Sequence, residues 1–171
     1  NSFINYRYSS KKSNSLSDNT VYTLCDDASG NLWIGTFRGG LNLLDKKQNA
    51  FKQYEHNPQI QSSLSNNTVY CIYKDHFGKV WIGTDNGLNL YDRQSDSFIH
   101  YKNDPKDPGS LSNNMIYCIY EDHSGSLWIG TAGGGLNLMN RTTGKFKRFQ
   151  KKEGLSNDVV YGILEDDNNR L

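Results

Sequence analysis

Several side chains in this sequence recur in settings where they could do chemistry. His76 and His123 each follow an aspartate, Asp75 and Asp122. A repeated imidazole beside a carboxylate is the start of a metal centre. Asp27, Asp75 and Asp122 each open an Asp-x-x-Gly run, which hints at a calcium loop. Cys25, Cys71 and Cys118 raise the question of a disulfide. Nucleophilic catalysis would need a Ser-His-Asp or Cys-His set, and glycoside cleavage a pair of carboxylates. No spacing in the chain singles out either arrangement.

The setting of these residues weakens each reading. Ala28 and Asp167 occupy the position of His76 and His123 in the other copies of the same pattern. The Asp-x-x-Gly runs carry too few carboxylates for calcium. They suit a turn in which Asp caps backbone N–H groups and Gly supplies a positive φ. Cys71 and Cys118 share one position, taken elsewhere by Thr23 and Gly162, which reads as a small residue at a tightly packed inner strand. Packed sheets lie about 10 Å apart, too far for a disulfide between equivalent positions. The residues therefore assign no catalytic group, no metal and no cofactor.

What positions all of them is a repeat. Trp33-Ile34-Gly35-Thr36, Trp81-Ile82-Gly83-Thr84 and Trp128-Ile129-Gly130-Thr131 follow one another at intervals of 48 and 47 residues. Leu16-Ser17-Asp18-Asn19, Leu64-Ser65-Asn66-Asn67, Leu111-Ser112-Asn113-Asn114 and Leu155-Ser156-Asn157-Asp158 open successive units. A period of 40 to 50 residues built from short strands is the mark of a β-propeller, with one unit per blade.

In the unit 64–101, Val69 to Tyr73 reads as strand A and Val80 to Thr84 as strand B. Leu88 to Tyr91 reads as strand C and Phe98 to Tyr101 as strand D. The fold class is all-β: a β-propeller fragment of about three complete four-stranded antiparallel blades with partial blades at either side. The propeller region is 1–171. Residues 1–8 are expected to be the last strand of a preceding blade. Blades follow at 16–54, 64–101 and 111–149, and 155–171 should supply the first strand of a next one. Such an arc has two raw faces, so the expected partners are the rest of its own propeller or a second copy in a homodimer.

Trp33, Trp81 and Trp128 read as packing residues between blades. Gly35, Gly83 and Gly130 sit inside strands, which marks close approach by another group. The expected visitor is a Trp or Tyr of the adjacent blade.

The positions that differ between matching units are the places to look for binding. The B-to-C turns read Phe37-Arg38-Gly39-Gly40, Asp85-Asn86-Gly87 and Ala132-Gly133-Gly134-Gly135. They emerge on the same face as the D-to-A connectors, 55–63 and 102–110. Arg38, Asp85 and Asn86 offer hydrogen bonds suited to sugar hydroxyls or carboxylates, and Phe37 offers a stacking face. These four are the candidate ligand-binding residues.

Composition sets the outer bounds. Nineteen basic and 18 acidic residues leave a net charge of +1, which gives no electrostatic case for nucleic acid or an anionic membrane. No apolar run is long enough to cross a bilayer. No basic-then-apolar leader opens the sequence, and a trimmed protein would read the same.

The combined pattern resembles the two-component regulator propeller repeat. It runs Leu-Ser-Asn-Asn, then Asp-x-x-Gly-x-(Leu/Val)-Trp-Ile-Gly-Thr, then Gly-Leu-Asn-Leu, as in Leu64 to Tyr73, Asp75 to Thr84 and Gly87 to Leu90. The resemblance implies a non-catalytic, periplasmic sensor propeller of a hybrid two-component system of Bacteroidetes, part of an inner-membrane protein. It implies a small carbohydrate ligand from polysaccharide breakdown, with a histidine kinase elsewhere in the full chain. Two other classes stay open: a propeller lyase or hydrolase acting on a polysaccharide, and a purely structural or dimerisation propeller.

Overall fold

The computed structural model describes residues 4–171. Twelve strands fold into three antiparallel sheets of four, each a meander in chain order. The first blade holds β1 (Val21–Asp26), β2 (Leu32–Thr36), β3 (Leu41–Asp45) and β4 (Ala50–Tyr54). The second holds β5 (Val69–Lys74), β6 (Val80–Thr84), β7 (Gly87–Asp92) and β8 (Ser97–Tyr101). The third holds β9 (Ile116–Glu121), β10 (Leu127–Thr131), β11 (Leu136–Asn140) and β12 (Lys145–Phe149). The three expected blades are thus in place, and strands A to D of the sequence reading fall on β5 to β8.

Registers repeat from blade to blade. Thr23, Cys71 and Cys118 stand opposite Gly35, Gly83 and Gly130, with a bulge one step further along each time. The sheets stack face to face and bury a mixed aliphatic and aromatic core between them. Trp33 is fully buried and packs edge-on to Tyr91 of the second blade, with ring centroids 4.8 Å apart. Trp81 is buried among Leu111, Ile116 and Leu127 of the third. Trp128 differs. It is only half-buried and touches Phe149 of its own blade, because no further sheet lies against it among the described residues.

The strand glycines are indeed sites of close approach, but the visitor is not aromatic. A Cβ on Gly83 would sit 2.5 Å from Cys71 Sγ and 2.7 Å from Ile116 Cγ2 of the next blade. Gly35 meets Thr23 and Val69 in the same way, and Gly130 meets Cys118 and Val160. The innermost strand of the following blade therefore presses a branched aliphatic side chain onto each glycine. The small residue opposite completes the gap, which explains why Cys, Thr and Gly share that position. All three cysteines are free thiols.

Residues 1–3 of the expected leading strand, Phe3 among them, lie outside the described residues, and the described parts of the two flanking segments form no ladder. Ile4 to Arg7 has no ladder, and Tyr8 makes one parallel bridge to Leu16. At the other end Val159 bridges to Ala132, and the Val160 amide donates to the Thr131 carbonyl at 3.0 Å. Val160 thus sits where a strand A belongs, against Gly130, yet no neighbouring strand completes a ladder with it.

Candidate functional site

The leucine-serine-asparagine motif fixes one face of the arc. In strand C of each blade a buried asparagine, Asn42, Asn89 or Asn137, accepts from the backbone N–H of Ser17, Ser65 or Ser112 at 3.0 Å. Its amide donates back to the hydroxyl of the same serine at 2.7 to 2.8 Å. The third motif residue, Asp18, Asn66 or Asn113, caps the amide two residues on. The fourth, Asn67 or Asn114, accepts from the start of the connector that leads in, at His56 or Asn103.

That frame holds the B-to-C turns. Thr36, Thr84 and Thr131 are buried, and each donates its hydroxyl across the turn to the carbonyl of Gly40, Gly87 or Gly135. The first turn residue is tied to its own blade: the amides of Phe37, Asp85 and Ala132 donate to Thr20, Thr68 and Met115 at 3.0 to 3.1 Å. The last is tied to the next unit: Gly40, Gly87 and Gly135 donate to Asn67, Asn114 and Asp158 at 2.7 to 2.9 Å. Gly40 and Gly135 have positive φ, and a Cβ there would strike the Tyr54 or Phe149 carbonyl. The tips are therefore displayed rigidly, on the face shared with the connectors.

Three of the four candidate residues come together, through residues the sequence reading passed over. Phe37 lies 5.5 Å from Tyr22, ring centroid to centroid, and the Arg38 guanidinium sits 4.8 Å above the Phe37 ring. Tyr22 stacks on Tyr70 at 5.8 Å, and the Tyr70 hydroxyl donates to Asp85 Oδ1 at 3.3 Å. Burial first, then the Asp85 charge and hydrogen bond, push the Tyr70 hydroxyl up to about 12. Asn86 is not part of this group. Its amide nitrogen reaches only the Ser65 carbonyl at 3.5 Å, and its backbone N–H is held by Thr84. The available clue was the tyrosine three residues past the motif in every unit, at 22, 70, 117 and 161.

The opposite face is built for cohesion. Asp27, Asp75 and Asp122 each accept two backbone N–H groups of their turn through Oδ1, as turn caps do. Asp75 and Asp122 also hold the indole N–H of Trp81 and Trp128 through Oδ2, at 2.9 and 2.7 Å. His76 engages Glu121 of the next blade through backbone N–H and Nδ1, and His123 engages Glu165 likewise. The two histidines are thus inter-blade contacts. The open grooves follow the repeat too. One of about 390 Å³ along Val80, Leu90 and Ile99 recurs along Leu138 and Lys147 in the third blade.

Comparison with known proteins places these observations. Residues 15–38, 63–86 and 110–133 match the family described as two component regulator propeller. The chain is similar to the extracellular domain of the hybrid two component system BT3049 from B. thetaiotaomicron, at 29% identity and a TM-score of 0.78, over 85% of this chain and 20% of that one. The extracellular domain of the hybrid system BT4673 from the same organism gives 27% identity and a TM-score of 0.76, over 88% and 21%. The chain thus spans about a fifth of the length of these structures. Virginiamycin B lyase from Staphylococcus aureus shares the fold alone, at 17% identity and a TM-score of 0.61, over 85% and 44%. No curated protein matches the chain.

Proposed function

We propose, from three stretches that match the two component regulator propeller family, that the chain captures a ligand outside the cytoplasm for a hybrid two-component system. The ligand is a soluble product of polysaccharide breakdown, and its binding is relayed to a histidine kinase of the full protein. One observation carries this reading. The frame that holds the B-to-C turns repeats bond for bond, while the tips it displays change from Phe37-Arg38 to Asp85-Asn86 to Ala132-Gly133. A scaffold that is constant beneath and variable at its tips is how a recognition surface is set on rigid elements. The similarity to extracellular domains of sensor proteins supports the setting, in the periplasm of a cell whose inner membrane the full protein spans.

Calorimetric titration of the protein with enzymatic digests of soluble polysaccharides tests this. A saturable heat is expected. A flat titration from a folded protein overturns it in favour of a structural propeller.

A second reading has its own observation. The outer face of the third sheet, with Trp128 and Phe149 half-buried, is covered among the described residues only by the segment 159–165 and by no further sheet. A second copy of the chain would cover it, and light scattering would then give a mass near twice 19.4 kDa.

A further inference from the structure

We propose that the innermost-strand tyrosines Tyr22, Tyr70 and Tyr117 form a stacking ledge for the rings of a neutral oligosaccharide, with Arg38 and Asp85 beside it as hydrogen-bonding groups. The proposal rests on the ligand-capture reading above and specifies its site and its ligand.

The ledge follows from the register. Each tyrosine stands at the same place in strand A, so the stacking of blades sets the rings in a row. Tyr22 and Tyr70 are near parallel with centroids 5.8 Å apart, and Tyr117 meets Tyr70 edge to face at 5.3 Å, so the row presents ring faces and ring edges by turns. Tyr161 continues the row, stacked on Tyr117 at 4.9 Å. These rings are not core: Tyr22 is 47% exposed, and Tyr70 and Tyr117 are partly exposed, while aliphatic neighbours such as Val69 and Ile116 are fully buried. A tyrosine offers an apolar face and a polar edge, which is the combination a sugar ring needs for its C–H face and its hydroxyls.

The residue beside each tyrosine is what varies. The first position of the B-to-C turn places Phe37 next to Tyr22 and Asp85 next to Tyr70. The third blade has Ala132 at that position, too short to make such a contact. A row kept only for blade cohesion would have no use for an aromatic, an acid and a methyl in turn. It reads instead as a repeated platform with a different neighbour at each step.

Charge narrows the ligand. The Arg38 guanidinium has no carboxylate partner among the described residues, and Asp85 spends Oδ1 on Tyr70 and leaves Oδ2 as an acceptor. A donor and an acceptor of opposite charge suit hydroxyls, which both give and take hydrogen bonds. A polyanion would meet Asp85, and single-stranded nucleic acid needs a basic groove that a chain of net charge +1 does not supply.

The test is calorimetry of the protein and its Tyr22→Ala, Tyr117→Ala and Tyr22→Phe variants. The probes are gluco-, xylo-, arabino- and galacto-hexasaccharides, with hexagalacturonate as the acidic comparison. Thermal melting confirms that each variant is folded. At least one neutral hexasaccharide should bind, Tyr22→Ala and Tyr117→Ala should each weaken it about ten-fold, and Tyr22→Phe should stay within about three-fold. Neutral binding that survives both alanine substitutions overturns the ledge and leaves the capture reading standing. Hexagalacturonate binding more tightly than every neutral probe overturns the assignment of a neutral ligand. A folded protein that binds none of the probes overturns both the ledge and the carbohydrate reading.

Discussion

Arg141 leaves the loop between β11 and β12 and donates through Nη1 to Oδ2 of Asp75, 2.7 Å away in the preceding blade. The same carboxylate oxygen holds the indole of Trp81, and the Asp75 side chain is 0% exposed. Arg93 makes the equivalent reach to Asp27 across the first joint, at 3.4 Å and from a side chain 56% exposed. One contact type thus joins both pairs of blades, with different grip.

That difference predicts unequal costs. Arg141→Ala leaves a buried carboxylate one donor short and should cost about 1–3 kcal/mol of unfolding free energy. Arg93→Ala removes a longer contact made by an exposed guanidinium and should cost under about 1 kcal/mol. Urea denaturation of the two variants checks the order. Asp27 is as buried as Asp75, so equal costs would mean that contact length and burial of the arginine do not decide the strength of the joint.

Acid should weaken the second joint through Asp75. Burial raises its carboxyl, but hydrogen bonds from Trp81, Arg141 and the Lys79 amide, with the Arg141 charge, hold it below the usual carboxylate range. A carboxyl lower in the folded chain than in the unfolded one stabilises above the unfolded value, near 4, and that contribution is lost as pH falls through the folded value. Asp75→Asn should therefore be less stable than the parent at pH 7 and approach it below about pH 3. Urea midpoints from pH 7 to pH 2.5 read this directly, and a gap that stays constant with pH would contradict it.

The glycines of the Trp-Ile-Gly-Thr runs should not tolerate a methyl group. Gly83→Ala drives a Cβ into Cys71 and Ile116, and overpacking of this kind costs about 1–3 kcal/mol. Adding Cys71→Gly, which copies the pairing available at Gly162, should recover part of the loss. Thermal melting of the single and double variants decides it. No recovery would place the clash with Ile116 alone.

Thiol chemistry should report the packing between blades. Burial pushes the Cys118 thiol up to about 11 and that of Cys71 higher still. Both should react slowly with a chromogenic disulfide reagent at pH 8 in the folded protein, and all three cysteines rapidly in urea. Fast reaction of Cys71 without denaturant would mean that the second and third blades part readily.

The indole partners predict a further asymmetry. The Trp33 N–H finds no acceptor among the described residues, while Trp81 and Trp128 are bound to Asp75 and Asp122. Replacement by Phe should therefore cost about 1 kcal/mol less at Trp33 than at Trp81, the value of one hydrogen bond. Chemical denaturation of the two variants measures the difference, and equal costs would remove the role given to Asp75.

Much of the architecture was legible because the sequence repeats its own spacing. Trp33, Trp81 and Trp128 fix the period, and the Asp-x-x-Gly turns fix the hairpins. The turn survives even where glycine is replaced: Asp166 caps the amides of Asn168 and Arg170, and Asn169 takes the positive φ. Partners between blades were harder to read. Nothing in one unit says that Ile116 presses on Gly83, or that His76 meets Glu121, because those contacts span about 33 to 45 residues and depend on how two sheets stack. The candidate site was half legible for the same reason. Phe37, Arg38 and Asp85 stood out because they break the repeat, while Tyr22, Tyr70 and Tyr117 were hidden because they obey it.

The amides of Gly40, Gly87 and Gly135 all reach into the opening motif of the unit that follows, and each of these bonds uses backbone atoms alone. Such a bond is indifferent to which copy stands on either side of it. A unit added or deleted by unequal recombination within the coding sequence would leave this bond intact at every remaining seam. Blade number and tip chemistry are thus separable variables of the fold, one set by how many units are joined and the other by the residues between Thr and Gly of each turn.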